Sequence, residues 1–230
     1  GSASITMDRP SKEMVTGNDF SMGDSLGFNA SGETDGGLGV AVYYEIDNGA
    51  LDDYDMTLSG DWGSLKFNGS GSSSALGAVD DVTPNAYEEA WDIVDYDGTL
   101  TVGAPTVIGG GGGTNMFIYT SPSFSGATLT AAYQNDGGAA AIADSYHDFA
   151  VAISPEMVEG LTLGFASGEV PVAGTDLAKD NSTMYVKYAV GGFTVGYQVS
   201  ESDHDTVSSS LDSVAYGITY AVNDDFSIGC

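Results

Sequence analysis

The chain has almost no positive charge. Of its 230 residues five are Lys or Arg and 33 are Asp or Glu, for a formal charge of −28. The five are Arg9, Lys12, Lys66, Lys179 and Lys187; they are too few to form the basic stripe that neutralises phosphates, so nucleic acid is excluded as a partner. Cysteine is as scarce. Cys230 alone rules out an internal disulfide framework and a cysteine-based zinc site. His147 and His204 are the only histidines, which leaves transition-metal catalysis short of ligands. No run approaches the ~18 apolar residues of a membrane-crossing helix. The chain opens Gly1-Ser2-Ala3 with no signal peptide: either the protein is not exported or the signal has been removed.

Glycine and tyrosine are abundant, at 33 and 13 residues, and 42% of the chain is apolar. That share is too high for a chain kept disordered by its charge. The apolar residues recur with a period of two. Leu38, Val40, Val42, Tyr44 and Ile46 alternate with Gly39, Ala41, Tyr43, Glu45 and Asp47, the pattern of a strand with one apolar and one small or polar face. The same alternation places Leu65 and Phe67 against Lys66 and Asn68, and Phe149, Val151 and Ile153 against Asp148 and Ala150. It also sets Val186 and Tyr188 against Lys187, and Phe193, Val195 and Tyr197 against Thr194 and Gln198. Only the segments around Phe20 to Ala30 and Thr114 to Thr120 are poorly phased. The reading is all-β, with roughly thirteen strands and one short helical segment in a loop.

Connections alternate in length. Short turns at Thr34 to Gly37, Asp61 to Gly63, Ser121 to Ser125, Pro155 to Gly160, Gly191-Gly192 and Asn223 to Asp225 are separated by longer polar links, among them Asn48 to Asp53, Ser167 to Asp180 and Ser202 to Leu211. Short turns at one end and long loops at the other describe an up-and-down antiparallel transmembrane barrel; a Greek-key sandwich has no reason to segregate them. Periodicity alone does not say whether the apolar face points to lipid or fills a water-soluble barrel. Lipid is favoured by an opposite face of Gly, Ala, Ser and Thr, and by tyrosines near strand ends, Tyr44, Tyr54, Tyr133, Tyr188 and Tyr220, where the ring suits the headgroup level.

Residues 69–113 form one connection of about 45 residues, far beyond the ~12–15 at which a structureless loop calls for a function. Glycine- and serine-rich joints bound it. Thr83 as N-cap, Pro84 at the first position, and Glu88 and Glu89 behind them predict a helix of one or two turns. Folded into the lumen, Asp80, Asp81, Glu88, Glu89 and Asp92 bring negative charge to the narrowest point, concentrating cations and repelling anions. A solvated acidic surface loop is the plainer alternative. The inward-phased wall residues are Lys66, Lys187, Glu45, Asp47, Asp55 and Asp148.

Three motifs carry a family resemblance. Gly63-Ser64-Leu65-Lys66-Phe67-Asn68 is similar to the strand that leads into the constriction loop of Gram-negative general diffusion porins of the alphaproteobacterial, marine type, and Asp80 to Asp92 resembles the core of that loop. Tyr185 to Tyr197 resembles a late hairpin of the same proteins. The resemblance implies passive diffusion of small hydrophilic solutes across the outer membrane, through a homotrimer of sixteen-stranded barrels set among membrane lipid and lipopolysaccharide, with no cofactor and no catalysis. Such porins commonly face the acidic loop with an arginine cluster. Arg9 is the only arginine here, so the expected selectivity is more plainly cationic.

Sixteen strands of roughly ten residues need about 160 residues; with the long loop, about 25 remain for every other connection, which is too few. The chain also stops at Phe226 to Cys230, inside an alternating segment. The expectation is residues 1–230 as one barrel domain cut at both ends, lacking about three C-terminal strands. Two other classes compete. Acid pairs at Asp52-Asp53, Asp80-Asp81, Glu88-Glu89 and Asp224-Asp225 offer oxygen ligands to Ca²⁺, as in a secreted or surface-attached acidic adhesive protein, but none sits in an EF-hand or a Gly-Gly-x-Gly-x-Asp repeat. A carboxylate-based hydrolase needs a defined pair, and neither His147-Asp148 nor Asp203-His204-Asp205 comes with a nucleophile motif.

Overall fold

The computed structural model describes residues 1–7, 20–84, 108–111, 113–135, 145–171, 178–204, 210–224 and 226–229. They form thirteen strands: β1 (Ser2–Met7), β2 (Phe20–Glu33), β3 (Gly39–Asp47), β4 (Ala50–Gly60), β5 (Gly63–Ser70), β6 (Met116–Thr120), β7 (Ala127–Gln134), β8 (Tyr146–Ile153), β9 (Leu161–Pro171), β10 (Ala178–Val190), β11 (Phe193–His204), β12 (Leu211–Asn223) and β13 (Phe226–Gly229). All lie in one sheet in the order of the sequence. Each pairs antiparallel with its neighbours in the chain. Among the described residues the only helical element is a 3-10 turn at Gly77–Val79. This is the all-β meander expected from the period of two.

Exposure decides which face is which. Ile46, Phe149, Phe165, Met184, Val195, Tyr197 and Ile218 are exposed, while Asn68, Asp148, Asn181, Thr183, Gln198 and Ser202 are buried. A water-soluble barrel has the opposite arrangement, so the apolar face is the lipid face. On β12 the outward residues run Val214, Tyr216, Ile218, Tyr220 and Val222, and Asp212 ends the run. At ~3.3 Å per residue and a tilt of about 40° this run rises roughly 23 Å, close to the ~25 Å apolar band of outer-membrane barrels. Ring stacking reinforces the edges of the band, with Tyr44 on Tyr54 at 6.1 Å, Trp62 on Tyr119 at 6.3 Å and Phe193 on Tyr220 at 4.3 Å.

Four details differ from the sequence reading. β2 is continuous over the stretch that looked poorly phased. Phe20, Met22, Leu26 and Phe28 all face outward, and Asp24, beyond the end of the β3 pairing, is the residue that hid the pattern. In β6, Met116 and Ile118 point inward because loop and wall residues cover them, joining Ala132, Tyr146 and Val170 in a small apolar cluster. The link read at Asn48 to Asp53 is a two-residue turn. Asn48 and Gly49 both have positive φ, 48° and 78°, as a type I′ hairpin turn requires, and β4 begins at Ala50. Finally, β9 and β10 extend past Ser167 and back to Ala178, which places Lys179 on the inner face opposite Val170 and His204. The helix expected from Thr83 lies, from residue 85 onward, outside the described residues.

The face assignment has a direct test. Val186→Lys, on the lipid side of β10, should lower the stability of the folded barrel by about 2–4 kcal/mol, whereas Thr194→Lys on the inner face of β11 should change it by less than about 1 kcal/mol. Denaturant titration in lipid vesicles would measure both; equal losses would remove the ground for the assignment, and a larger loss for Thr194→Lys would reverse it.

Candidate functional site

The long connection leaves the end of β5, and an asparagine holds its two ends together. Asn68, buried on the inner face, accepts a hydrogen bond from Ser72 N at 3.2 Å and donates to the carbonyls of Ser72 and Gly113. Nearby, Gln134 of β7 donates to the Thr114 carbonyl. Lys66 reaches from β5 to the Asp55 carboxylate of β4 at 3.3 Å and donates to Ser72 Oγ at 3.3 Å. Asp53 lies against Gly71. A polar cavity of about 330 Å³ separates the outgoing and returning segments, bounded by Ser72, Ser74, Asp80, Gly111 and Thr114.

From this root the loop crosses the inner wall and is fastened at three places. At β8, Asp148 accepts hydrogen bonds from Ala75 N at 3.2 Å, Leu76 N at 2.7 Å and the Tyr146 hydroxyl at 2.6 Å. Ser74 Oγ lies 3.0 Å from the Tyr146 hydroxyl and accepts from Gly77 N at 3.1 Å, and Val79 N donates to the Leu76 carbonyl at 3.1 Å to close the 3-10 turn. Asp148 is 4% exposed and Tyr146 fully buried. A carboxylate with three donors in a dry site is strongly tied: each bond to a charged group contributes about 1.5–3 kcal/mol. At β10, Asn181 donates to the Gly109 carbonyl at 2.9 Å, holding the returning segment.

At β11 a single amide engages both signs of backbone group. Gln198 Nε2 donates to the carbonyls of Val79 at 2.8 Å and Asp80 at 3.0 Å and to Thr183 Oγ1 at 2.9 Å, and its Oε1 accepts from Val82 N at 2.9 Å. Ser200 lies 2.7 Å from Thr183 Oγ1 and fixes that hydroxyl in turn. Beyond Gln198 the segment ends over β11 and β12, with Pro84 against Gly196 and Gly217. Residues 74–84 therefore descend the wall from the level of Asp148 to that of Gly196, three inward rows nearer the short-turn end. At ~3.3 Å per residue this is roughly 20 Å along the strands.

The carboxylates divide into two groups. Glu45, Asp47 and Asp55 lie on the inner face of β3 and β4 as phased, and Glu45 accepts a 2.7 Å bond from the Tyr43 hydroxyl. Asp80 and Asp81 lie on the docked segment. Asp81 Oδ1 accepts from Thr83 N and Oγ1 and so shapes the bend before Pro84, and Asp80 Oδ1 accepts from Asp81 N at 2.8 Å. Burial raises the Asp80 carboxyl above the usual carboxylate range, the Asp81 charge adds to this, and the Asp81 N–H opposes it. Asp148 faces inward but lies under the loop, committed to holding it. Lys187 is half-buried beside Gly196. Glu88, Glu89 and Asp92 lie outside the described residues. Among the described residues no group of three His, Cys, Asp or Glu side chains is placed to hold a metal ion. His147 is exposed on the outward face, level with Glu169.

The loop-holding residues Tyr146, Asn181 and Gln198 were not singled out by sequence reasoning. Their one signal is a large polar or aromatic side chain on a face otherwise built from Gly, Ala, Ser and Thr.

No curated protein matches the chain by sequence. Among solved structures it is similar to the anion-selective porin from Comamonas acidovorans, at 16% identity over 89% of this chain and 68% of that one, with a TM-score of 0.56. It is similar also to the outer-membrane expressed OmpT of Vibrio cholerae, at 14% identity over 90% and 66%, TM-score 0.63. The trimer form of in-vitro folded OmpT matches at 12% identity over 91% and 69%, TM-score 0.64. At these identities the likeness concerns the fold. The family model for Gram-negative porins matches residues 5–230, and with a thirteen-stranded meander that turns its apolar face outward, the chain belongs to the Gram-negative porin family of outer-membrane β-barrels.

Proposed function

We propose that the protein is a non-catalytic diffusion pore for small hydrophilic solutes that prefers cations, with the segment that follows β5 as its constriction. The observation that carries this reading is the docking of residues 74–84 onto the inner face of β8, β11 and β12. A loop that merely capped the mouth would have no bonds to mid-strand residues such as Gln198.

Charge supplies the preference. A carboxylate about 5 Å from a passing monovalent ion contributes ~3 kcal/mol at an effective permittivity near 20, and under 1 kcal/mol in bulk water. Acids therefore discriminate only where the passage forces ions close to them. On the docked segment these are Asp80 and Asp81, continued by Glu88, Glu89 and Asp92 in the same loop. The wall of β3 and β4 adds Glu45, Asp47 and Asp53, while Lys66 is neutralised by Asp55. Lys179 and Lys187 are the remaining inward cations among the described residues. One relative in fold is described as anion-selective, so selectivity follows from side chains and not from the barrel itself.

The proposed assembly is a homotrimer. Outward-facing Glu169, Asp180, Glu201, Asp203 and Asp212 lie at the long-loop end, above the apolar band, where the proposed neighbours are lipopolysaccharide headgroups.

Planar-bilayer recording of the full-length protein tests the reading. Replacing Asp80, Asp81, Glu88 and Glu89 by their amides should move the reversal potential in a salt gradient toward zero; an unchanged potential would remove the loop from the selectivity mechanism. The raised Asp80 carboxyl gives a pH signature. Its proton is held more tightly in the docked loop than in a free chain, so docking is favoured as pH falls and penalised once pH rises above the raised value. Cation preference should accordingly begin to fall at a higher pH than an ordinary carboxylate, near 3.8, would dictate, and Asp80→Asn should abolish that early part of the titration. The β8 attachment is tested by Asp148→Ala, which strands the Ala75 and Leu76 N–H groups at a cost of about 1–3 kcal/mol each. Open-channel noise and protease cleavage within residues 71–115 should both rise; quiet, protected channels would show that the loop is held elsewhere.

A further inference from the structure

The inner wall of β11 and β12 contains a place without side chains, and the loop lies on it. Gly196 and Gly217 are register partners across the two strands, and both face inward. A Cβ on Gly196 would lie 2.5 Å from Pro84 Cδ and 3.5 Å from Thr83 Cα. A Cβ on Gly217 would meet the Pro84 carbonyl oxygen. Neither glycine has a positive φ, so the backbone does not call for glycine at either position. The space does. Immediately above, Gln198 bonds the loop at Val79, Asp80 and Val82, so the segment is drawn to the wall on one side of Pro84 and received by bare backbone at Pro84 itself.

We propose that the Gly196–Gly217 pair is a seat that sets how closely the loop lies against the wall, and hence the bore of the pore. The inference rests on the pore reading above, and it assigns positioning residues for that function on strands that the acidic loop residues do not identify. An ordinary carbon–carbon contact is about 3.5–4.0 Å, so a methyl group on Gly196 has to push Pro84 roughly 1 Å off the wall. The wall is a continuous hydrogen-bonded sheet and the loop is not, so the loop moves, into the lumen. Gln198 works in the other direction, since losing its amide releases the segment.

The two glycines make different contacts, and this makes the test specific. Gly196 meets the proline ring, which Pro84→Ala removes; Gly217 meets the backbone oxygen, which Pro84→Ala leaves in place. Single-channel conductance would be recorded for the full-length protein unaltered and as G196A, G217A, each combined with P84A, and G32A as control, since a Cβ on Gly32 meets nothing within 4 Å. Gel migration before and after heating would verify the folded form. Both G196A and G217A should lower conductance by roughly 1.5-fold or more, G32A should not, and P84A should restore G196A but not G217A. Should G217A fail to fold, G196A and its rescue decide alone. Unchanged conductance in G196A, or a loss that P84A does not relieve, would overturn the seat while leaving the pore reading intact. A full-length protein with the unaltered sequence that does not conduct would overturn the pore reading, and the seat with it.

Discussion

Inside a bilayer no backbone N–H or C=O finds water, and each one left unpaired costs several kcal/mol. That constraint orders everything else in this protein. It drives each strand to pair with its immediate neighbours in the chain, so that thirteen strands lie in sequence order in one sheet. Once the backbone is satisfied laterally, only the two faces are free to differ, and the alternation of side chains makes one of them lipid-like. The other is left small and polar, with room for a segment that is not part of the sheet. That segment needs partners for its own backbone, and it finds them in side chains of the wall.

The side chains that serve this purpose match the bonds required. Asp148 offers only acceptors and meets two N–H groups and a hydroxyl. Gln198 offers both kinds and meets carbonyls with its nitrogen and an N–H with its oxygen. A carboxylate at position 198 would have no donors for Val79 and Asp80; an amide at 148 would present its NH₂ to another donor. The holding points are therefore specific in chemistry as well as position. They also divide the acidic side chains by duty, because a carboxylate consumed by three hydrogen bonds under the loop is unavailable to ions in the lumen. Formal charge overstates what a passing ion meets.

Strand existence was legible in the sequence, because a period of two sustained through segments such as Val214 to Val222 fits a strand with two unlike faces and no helix; the lipid face was legible only through the small residues opposite it and the tyrosines near strand ends. Boundaries were less so. Asp24 interrupted the pattern of β2 by a single residue. The polar run Asn48 to Asp53 has the composition of one link, although Asn48-Gly49 within it is a hairpin signal of its own. The attachments of the loop were out of reach for a different reason. Gln198 and Val82 are 116 residues apart in the chain, and a glutamine on a polar strand face looks the same whether it faces water or a loop. Long-range hydrogen bonds leave no local periodicity. Glycines such as Gly196 and Gly217 are similarly ambiguous in a chain with 33 of them.

The two-residue turn at Asn48-Gly49 has a consequence for the approach to the pore. It lies at the same end of the sheet as the long connection after β5, yet it rises hardly at all above the strands it joins. The rim there stands hardly higher than the strands themselves, and Glu45, Asp47 and Asp53 lie next to it on the inner wall of β3 and β4. A low rim beside carboxylates acts as a funnel, since a field that reaches past the rim captures counter-ions from a wider area than one screened within the lumen. Under the proposed cation-preferring pore, entry should depend on ionic strength even at low flux, through the rate of capture.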